Sequence, residues 1–252
     1  MTLDNPLANK FSSAATQYKQ HDVLQRLSAQ KLFQKADLYG TLLDVGAGPG
    51  TDFGAFSHVS QVIAVDIAHG MLTELTQQFT NYLPLCSDAQ ALGLQSGSVD
   101  TLYSNLALQW CQQLPNAFME FHRVLRPGGE CFLSIVADGS LAELNTLGFH
   151  VNQFHSVESL KATFLSSKMA MDNWQYVDVQ LESIQVYFDD LRSLLYSIKG
   201  VGASFDQQGN GKKRPLLTKQ QWRHRLELAE TLRTDKGIPL TYQIAFIRVK
   251  RG

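Results

Sequence analysis

The chain has 252 residues, 44% hydrophobic, 10% aromatic and 18% charged, with 22 Lys+Arg against 23 Asp+Glu and a formal charge of −1. That length and apolar fraction suffice for one large core, which excludes a disordered or low-complexity chain. The near-zero charge excludes a global attraction for nucleic acid or anionic lipid. Three unpaired cysteines, Cys86, Cys111 and Cys131, point to a reducing compartment. With no basic segment ahead of an apolar run and no stretch near the roughly 18 apolar residues of a membrane span, the expectation is a cytoplasmic protein with no membrane or nucleic-acid partner.

Apolar positions at helical spacing (Leu7, Phe11, Ala14, Tyr18, then Leu24, Leu27, Leu32) predict two short amphipathic helices over residues 7–36. Apolar runs at 41–45, 62–66, 82–85, 99–104 and 130–136 predict strands. Helices are predicted after the glycines that follow the first strand, at 71–79, and at 115–125, the last stopped by Pro127-Gly128-Gly129. Strands alternating with helices imply a parallel sheet with right-handed crossovers. Further on, 140–168 reads as helical and polar, 177–188 as a long strand, 191–198 as a helix and 200–210 as a loop. Thr218 with Gln221 forms a capping box for another helix, and 240–249 closes the sheet.

The sharpest local signal is Asp44-Val45-Gly46-Ala47-Gly48-Pro49-Gly50, a strand running into glycines that let the backbone approach a ligand closely. A dinucleotide reader wants Gly-x-Gly-x-x-Gly, but the sixth position is Thr51. A cationic ligand such as S-adenosylmethionine wants an acid at the strand end, where Asp44 stands. Asp66 follows the second strand, placed to accept ribose hydroxyls. Asp88 follows the third, placed to accept an adenine amine, with Ala89 offering backbone. Three acids after three successive strands make a far more specific pattern than a glycine loop alone.

Together with Ile67, Met71, Asn105-Leu106 and Leu125-Arg126-Pro127-Gly128-Gly129, these motifs resemble class I S-adenosylmethionine-dependent methyltransferases over residues 38–136. More narrowly, Phe11-x-x-Ala-Ala-x-x-Tyr18, Ser104-Asn-Leu-Ala-Leu-Gln-Trp-Cys111, Gly139-Ser-Leu-Ala-Glu-Leu144, Phe188-Asp-Asp190 and Lys199-Gly-Val-Gly-Ala203 are similar to the malonyl-acyl-carrier-protein O-methyltransferase family of biotin synthesis. The resemblance implies a Rossmann-like α/β fold, a seven-stranded mostly parallel sheet with helices on both faces, in a single domain. Residues 1–37 would be an N-terminal helical cover and 38–136 the cofactor-binding half. Residues 137–252 would hold a helical insertion at 138–172, acceptor-site elements and the final strands.

It also implies transfer of a methyl group to the free carboxylate of a malonyl thioester, with S-adenosylhomocysteine as product. A malonyl carboxylate is ionised at neutral pH, so the reaction needs no acid–base residue and no metal. The seven histidines show no metal-ligand pairing. Cofactor-binding candidates are Gln17, Tyr18, Asp44, Gly46, Ala47, Gly48, Gly50, Asp66, Ile67, Met71, Asp88, Ala89, Asn105 and Leu106. Acceptor-positioning candidates are Tyr18, Asn105, Trp110, Arg192 and Lys199. Tyr18 equally reads as an ordinary packing residue and Trp110 as core. The family pattern carries an arginine three residues before Lys199, where this chain has Tyr196; Arg192, one helical turn earlier, is the expected substitute in a carboxylate clamp.

The partner implied is an acyl carrier protein, with malonyl-coenzyme A as a second acceptor. Residues 212–236 carry eight basic side chains against three acidic ones, a surface for an acidic carrier or a solvated helix face. The competing functions are methylation of another small carboxylate or of a quinone or sterol precursor, a noncatalytic S-adenosylmethionine-binding protein, and an NAD-dependent oxidoreductase.

Overall fold

A computed structural model describes residues 6–15, 18, 21–166, 174–200 and 218–252. Seven strands form one sheet: β1 (Gly40–Val45), β2 (Val59–Asp66), β3 (Leu83–Cys86), β4 (Val99–Asn105), β5 (Leu125–Val136), β6 (Trp174–Phe188) and β7 (Ile238–Arg251). Their order is β3-β2-β1-β4-β5-β7-β6. The first five strands pair in parallel, and β7 runs antiparallel between β5 and β6. The chain winds outward from β1 in one direction through β2 and β3 and in the other through β4 and β5. The carboxyl ends of β1 and β4 therefore diverge into a crevice, where a ligand finds both backbone donors and space.

The described helices are α1 (Pro6–Ala14), α2 (Val23–Lys35), α3 (His69–Gln78), α4 (Leu114–Val124), α5 (Ala142–Thr146), α6 (Val157–Ser166), α7 (Leu191–Gly200) and α8 (Lys219–Thr231). Successive strand residues point to opposite faces, so the sheet feeds two cores. Leu43 and Val45 pack with Phe118 and Phe121 of α4 and Phe164 of α6 on one face. On the other, Leu42 packs with Leu32 of α2 and Leu72 and Leu75 of α3. A third core, from Leu144, Leu191, Leu194, Ile198, Ala229 and Leu240, fastens α5, α7 and α8 beyond the crevice. No helix of the described residues is long and apolar enough to cross a membrane.

Three expectations are corrected, and a fourth falls outside the described residues. No helix follows the glycines: residues 46–58 form turns, because Pro49, Gly50 and Gly54 disfavour a helix in so short a link. Phe53 and Phe56 still pack on the sheet. The Tyr82 hydroxyl pins the link, accepting from the Phe53 N–H at 3.2 Å and donating to the Thr51 carbonyl at 3.1 Å. Secondly, Pro127-Gly128-Gly129 does not separate helix from strand; α4 ends at Val124 and β5 starts at Leu125, with a register shift opposite Val99–Thr101. Thirdly, 140–168 is broken into α5 and α6, with Gly148 at φ +72° where α5 ends. Lastly, the expected loop lies outside the described residues except for Gly200, which ends α7. The capping box is present: Gln221 N–H donates to Thr218 Oγ1 at 3.2 Å and Thr218 N–H to Gln221 Oε1 at 2.9 Å.

Candidate functional site

A cavity of about 720 Å³ opens at the carboxyl ends of β1–β4. Its floor is Val45, Gly46 and Gly48 after β1, Asp66 and Ile67 after β2, Ser87–Gln90 after β3, and Asn105–Gln109 after β4. Leu7 and Phe11 of α1, with Tyr18 and His21, line it from the N-terminal side. Gly46 is required by close approach as much as by its φ of +72°: a Cβ there would lie 2.1 Å from that of Ala107.

The three acids are held differently. Asp66 accepts from the Gly48 N–H at 2.9 Å and the Ala68 N–H at 2.8 Å, so its carboxylate fixes the glycine turn onto β2. Burial pushes its pKa up, and these backbone N–H groups oppose the rise. Asp88 accepts from both the backbone N–H (2.9 Å) and the side-chain amide (3.0 and 3.1 Å) of Gln90, whose Oε1 accepts from Gln113 N–H at 2.7 Å. Asp44 is 1% exposed, and its Oδ2 has no hydrogen-bond partner. Burial first, and then the nearby Asp66, push its pKa up to about 8.

Of the expected cofactor residues, Tyr18, Gly46, Gly48, Asp66, Ile67, Met71, Asp88, Ala89, Asn105 and Leu106 line the cavity. Asp44, Ala47 and Gly50 do not: Asp44 and Ala47 are buried beside the turn, and Gly50 lies against Phe79. They shape the turn rather than its open face. Gln17 lies outside the described residues. Tyr18 packs with Phe11, Ala15, Ala68 and Met71, and burial and Asp66 both raise its phenol's pKa.

Asn105 reaches the cavity, but its amide is engaged: Nδ2 donates to the Gln25 carbonyl at 3.0 Å and Oδ1 accepts from Ser134 Oγ at 2.7 Å. Ser134 Oγ also accepts from Ser28 Oγ and the Leu106 N–H, both at 3.1 Å. This network docks α2 on the strand ends. Trp110 is a cavity wall rather than core, edge-on to Phe11 at 5.6 Å. The Cys111 thiol also faces the cavity; burial pushes its pKa up to about 12, leaving no thiolate for nucleophilic chemistry.

The expected clamp residues lie away from the cavity wall. Neither Arg192 nor Lys199 lines the cavity; Ser193, Tyr196, Ser197 and Ile198 of α7 do, because the buried Leu191, Leu194 and Ile198 fix the helix's rotation. Arg192 lies over the Trp222 ring of α8, its Cζ 6.0 Å from the centroid. Beyond the acids the cavity continues into a chamber walled by Leu141, Phe154, Val186, Phe188 and Tyr242. Among the described residues the cavity lining has no Glu, Lys or Arg; Asp66 and Asp88 are its acids, and His21, Gln109 and Asn152 are among its other polar residues. Sequence reasoning missed Gln90, Gln109 and Ser134. Only Gln90 had a local signal, two residues after an Asp whose carboxylate can accept from that backbone N–H.

A cavity floored by a glycine turn, with acids after three adjacent parallel strands, defines a class I S-adenosylmethionine-dependent methyltransferase. The fold is shared with YcgJ of Bacillus subtilis (TM-score 0.61, 18% identity, 89% of this chain and 98% of that one). The methyltransferase TM1293 of Thermotoga maritima shares it too (TM-score 0.55, 15% identity, 97% and 99%). The methyltransferase-domain family pattern matches residues 43–133. Malonyl-acyl-carrier-protein O-methyltransferases of Marinomonas sp. (32% identity, 97% of this chain, 93% of the relative) and Gallionella capsiferriformans (30%, 94% and 87%) match nearly end to end. So does about half of the biotin biosynthesis bifunctional protein BioHC of Cellvibrio japonicus (32%, 96% and 49%). The chain belongs to the malonyl-acyl-carrier-protein O-methyltransferase family.

The residues fit S-adenosylmethionine. Asp66 and Asp88 line the cavity and keep lone pairs for hydroxyl and amine donors, while Asp44 stays buried behind the turn.

Proposed function

We propose that this enzyme methylates the free carboxylate of a malonyl thioester borne by acyl carrier protein, yielding the methyl ester, with malonyl-coenzyme A as a second acceptor. The observation that carries this reading is that the cavity holding Asp66 and Asp88 also has apolar walls at Leu141, Phe154, Val186, Phe188 and Tyr242. Those apolar walls suit the thioester's carbon chain.

When bound, S-adenosylmethionine supplies the sulfonium methyl group. Tyr18, Gly46, Gly48, Asp66, Ile67, Met71, Asp88, Ala89 and Leu106 are the residues that hold it in this reading, with Asp44 shaping the glycine turn from behind. The acceptor carboxylate is already ionised, so no side chain has to remove a proton and no metal is needed to generate the nucleophile. The chain's contribution is alignment and exclusion of water. Leu7, Phe11 and Trp110 close the cavity, and the second amide hydrogen of Gln109, whose first donates to the Leu106 carbonyl, is a neutral donor for the carboxylate that forms no ion pair with it.

The test is methyl transfer from labelled S-adenosylmethionine to malonyl-, succinyl- and acetyl-carrier protein, with the ester detected by mass. A malonyl-specific ester is expected. Equal methylation of succinyl thioesters, or none of any thioester, overturns the assignment.

A further inference from the structure

Two exposed cations on α7 have no part in the cavity. Arg192 and Lys199 are seven residues apart, hence on one face of the helix. At about 100° per residue they stand roughly 40° and 60° around the helix from Tyr196. Tyr196 both lines the cavity and is 61% exposed, so it marks the mouth. The two cations are therefore on the solvent rim beside it. Arg192 lies over Trp222, which brings the first turns of α8 alongside, with Lys219 three residues before Trp222 and Arg223 directly after it, both exposed. Among the described residues none of these four has a carboxylate within ion-pair distance. Asp190, the acid nearest Arg192 in sequence, accepts from the Ser193 N–H at 2.7 Å.

We propose that Arg192 and Lys199 of α7, with Lys219 and Arg223 of α8, form the docking surface for an acidic carrier protein whose thioester arm enters past Tyr196. The proposal rests on the acceptor assigned above. A tethered acceptor requires the cavity mouth and the protein-binding surface to adjoin, since the arm has one fixed length while its protein stays outside. Cations on that rim, with Arg192 partly offset by Asp190 two residues before it, supply long-range attraction for an acidic partner and for the phosphate that anchors the arm. The pair therefore acts on the carrier rather than on the carboxylate.

The experiment compares wild type with Arg192→Glu/Lys199→Glu and, separately, Lys219→Glu/Arg223→Glu. Acceptors are malonyl-carrier protein and the malonyl thioester of N-acetylcysteamine, which has neither protein nor phosphate. Expected is a rise of about tenfold or more in KM for the carrier substrate from each pair, with kcat and the small-thioester KM within about twofold of wild type. In wild type, salt should raise only the carrier KM. Equal losses on both acceptors would mean that the cations hold the carboxylate, and unchanged carrier kinetics would mean that this rim is not the docking surface; either overturns the proposal.

Direct titration of unacylated holo-carrier protein separates docking from the acceptor assignment. If wild type binds the carrier and both charge-reversed variants lose about tenfold in affinity, docking stands even where no thioester is methylated. If the variants bind as wild type does, or wild type does not bind, docking fails. Because the two pairs sit on different helices, misfolding of one variant leaves the other as a test.

Discussion

Asp44 is a buried carboxyl with one oxygen unpartnered, and Tyr103, its cross-strand neighbour on β4, has a buried, unpartnered hydroxyl. Burying the charged form is costly, so the folded protein holds a proton at Asp44 up to a pKa of about 8, against 3.8 for the free side chain. Between those values the folded state binds more protons than the unfolded chain, so this residue lowers stability as pH rises from about 4 to about 8. Asp44→Asn removes that contribution. The melting temperature of the variant minus that of wild type should therefore increase from pH 5 to pH 8 in a thermal-unfolding series; parallel curves would show that Asp44 ionises normally. At this scale the sequence was largely readable, since an acid at a strand end before glycines and two more after the next strands is a pattern of residue type and spacing. It could not show that Asp44 lies behind the turn while Asp66 and Asp88 face the cavity. Loop curvature decides that.

At the scale of elements, α1 packs against α3 at the cavity edge. None of its residues is fully buried in Pro6–Ala14, and it docks through Phe11 on Trp110 and through Ser12 on Gly70 of α3. The Gly70 N–H donates to Ser12 Oγ at 3.2 Å, and a Cβ at Gly70 would lie 2.9 Å from the Ser12 backbone. Gly70→Val should therefore push α1 off the cavity. Expected is a loss of about tenfold in cofactor affinity, about 1.4 kcal/mol, in a calorimetric titration, with the main thermal transition kept. Unchanged affinity would show that α1 does not cover the site. Helical periodicity made α1, α4 and α7 legible, because their apolar stripes repeat every turn. The same periodicity misplaced Arg192 and Lys199. Both sit on the side of α7 that the third core leaves uncovered, and which uncovered side meets the cavity depends on how the helix is turned by Leu191, Leu194 and Ile198. The missing helix at 46–58 is a similar case: glycine and proline weaken the helix, and two phenylalanines secure the link by tertiary packing instead.

For the whole molecule, the site is assembled from strands far apart in sequence, so ligand binding should stabilise the folded state as a unit. At a cofactor concentration of a hundred times its dissociation constant the gain is about 2.7 kcal/mol, or roughly 5–10 °C for a chain of this size. Asp66→Asn keeps an oxygen for one backbone N–H but loses the charge proposed to meet the ribose. It should abolish most of that shift at the same cofactor concentration; an undiminished shift would remove Asp66 from the binding residues.

The order of strands and helices, the capping box at Thr218 and the three acids follow from the sequence by itself, because each depends on residue type and spacing within one segment. Sheet order and the antiparallel insertion of β7 between β5 and β6 are decided by tertiary structure, as are the docking of α2 through Ser28, Ser134 and Asn105 and the exclusion of Arg192 and Lys199 from the cavity. Each of these is a relation between segments scores of residues apart, fixed by which faces bury apolar surface together. No local pattern records it.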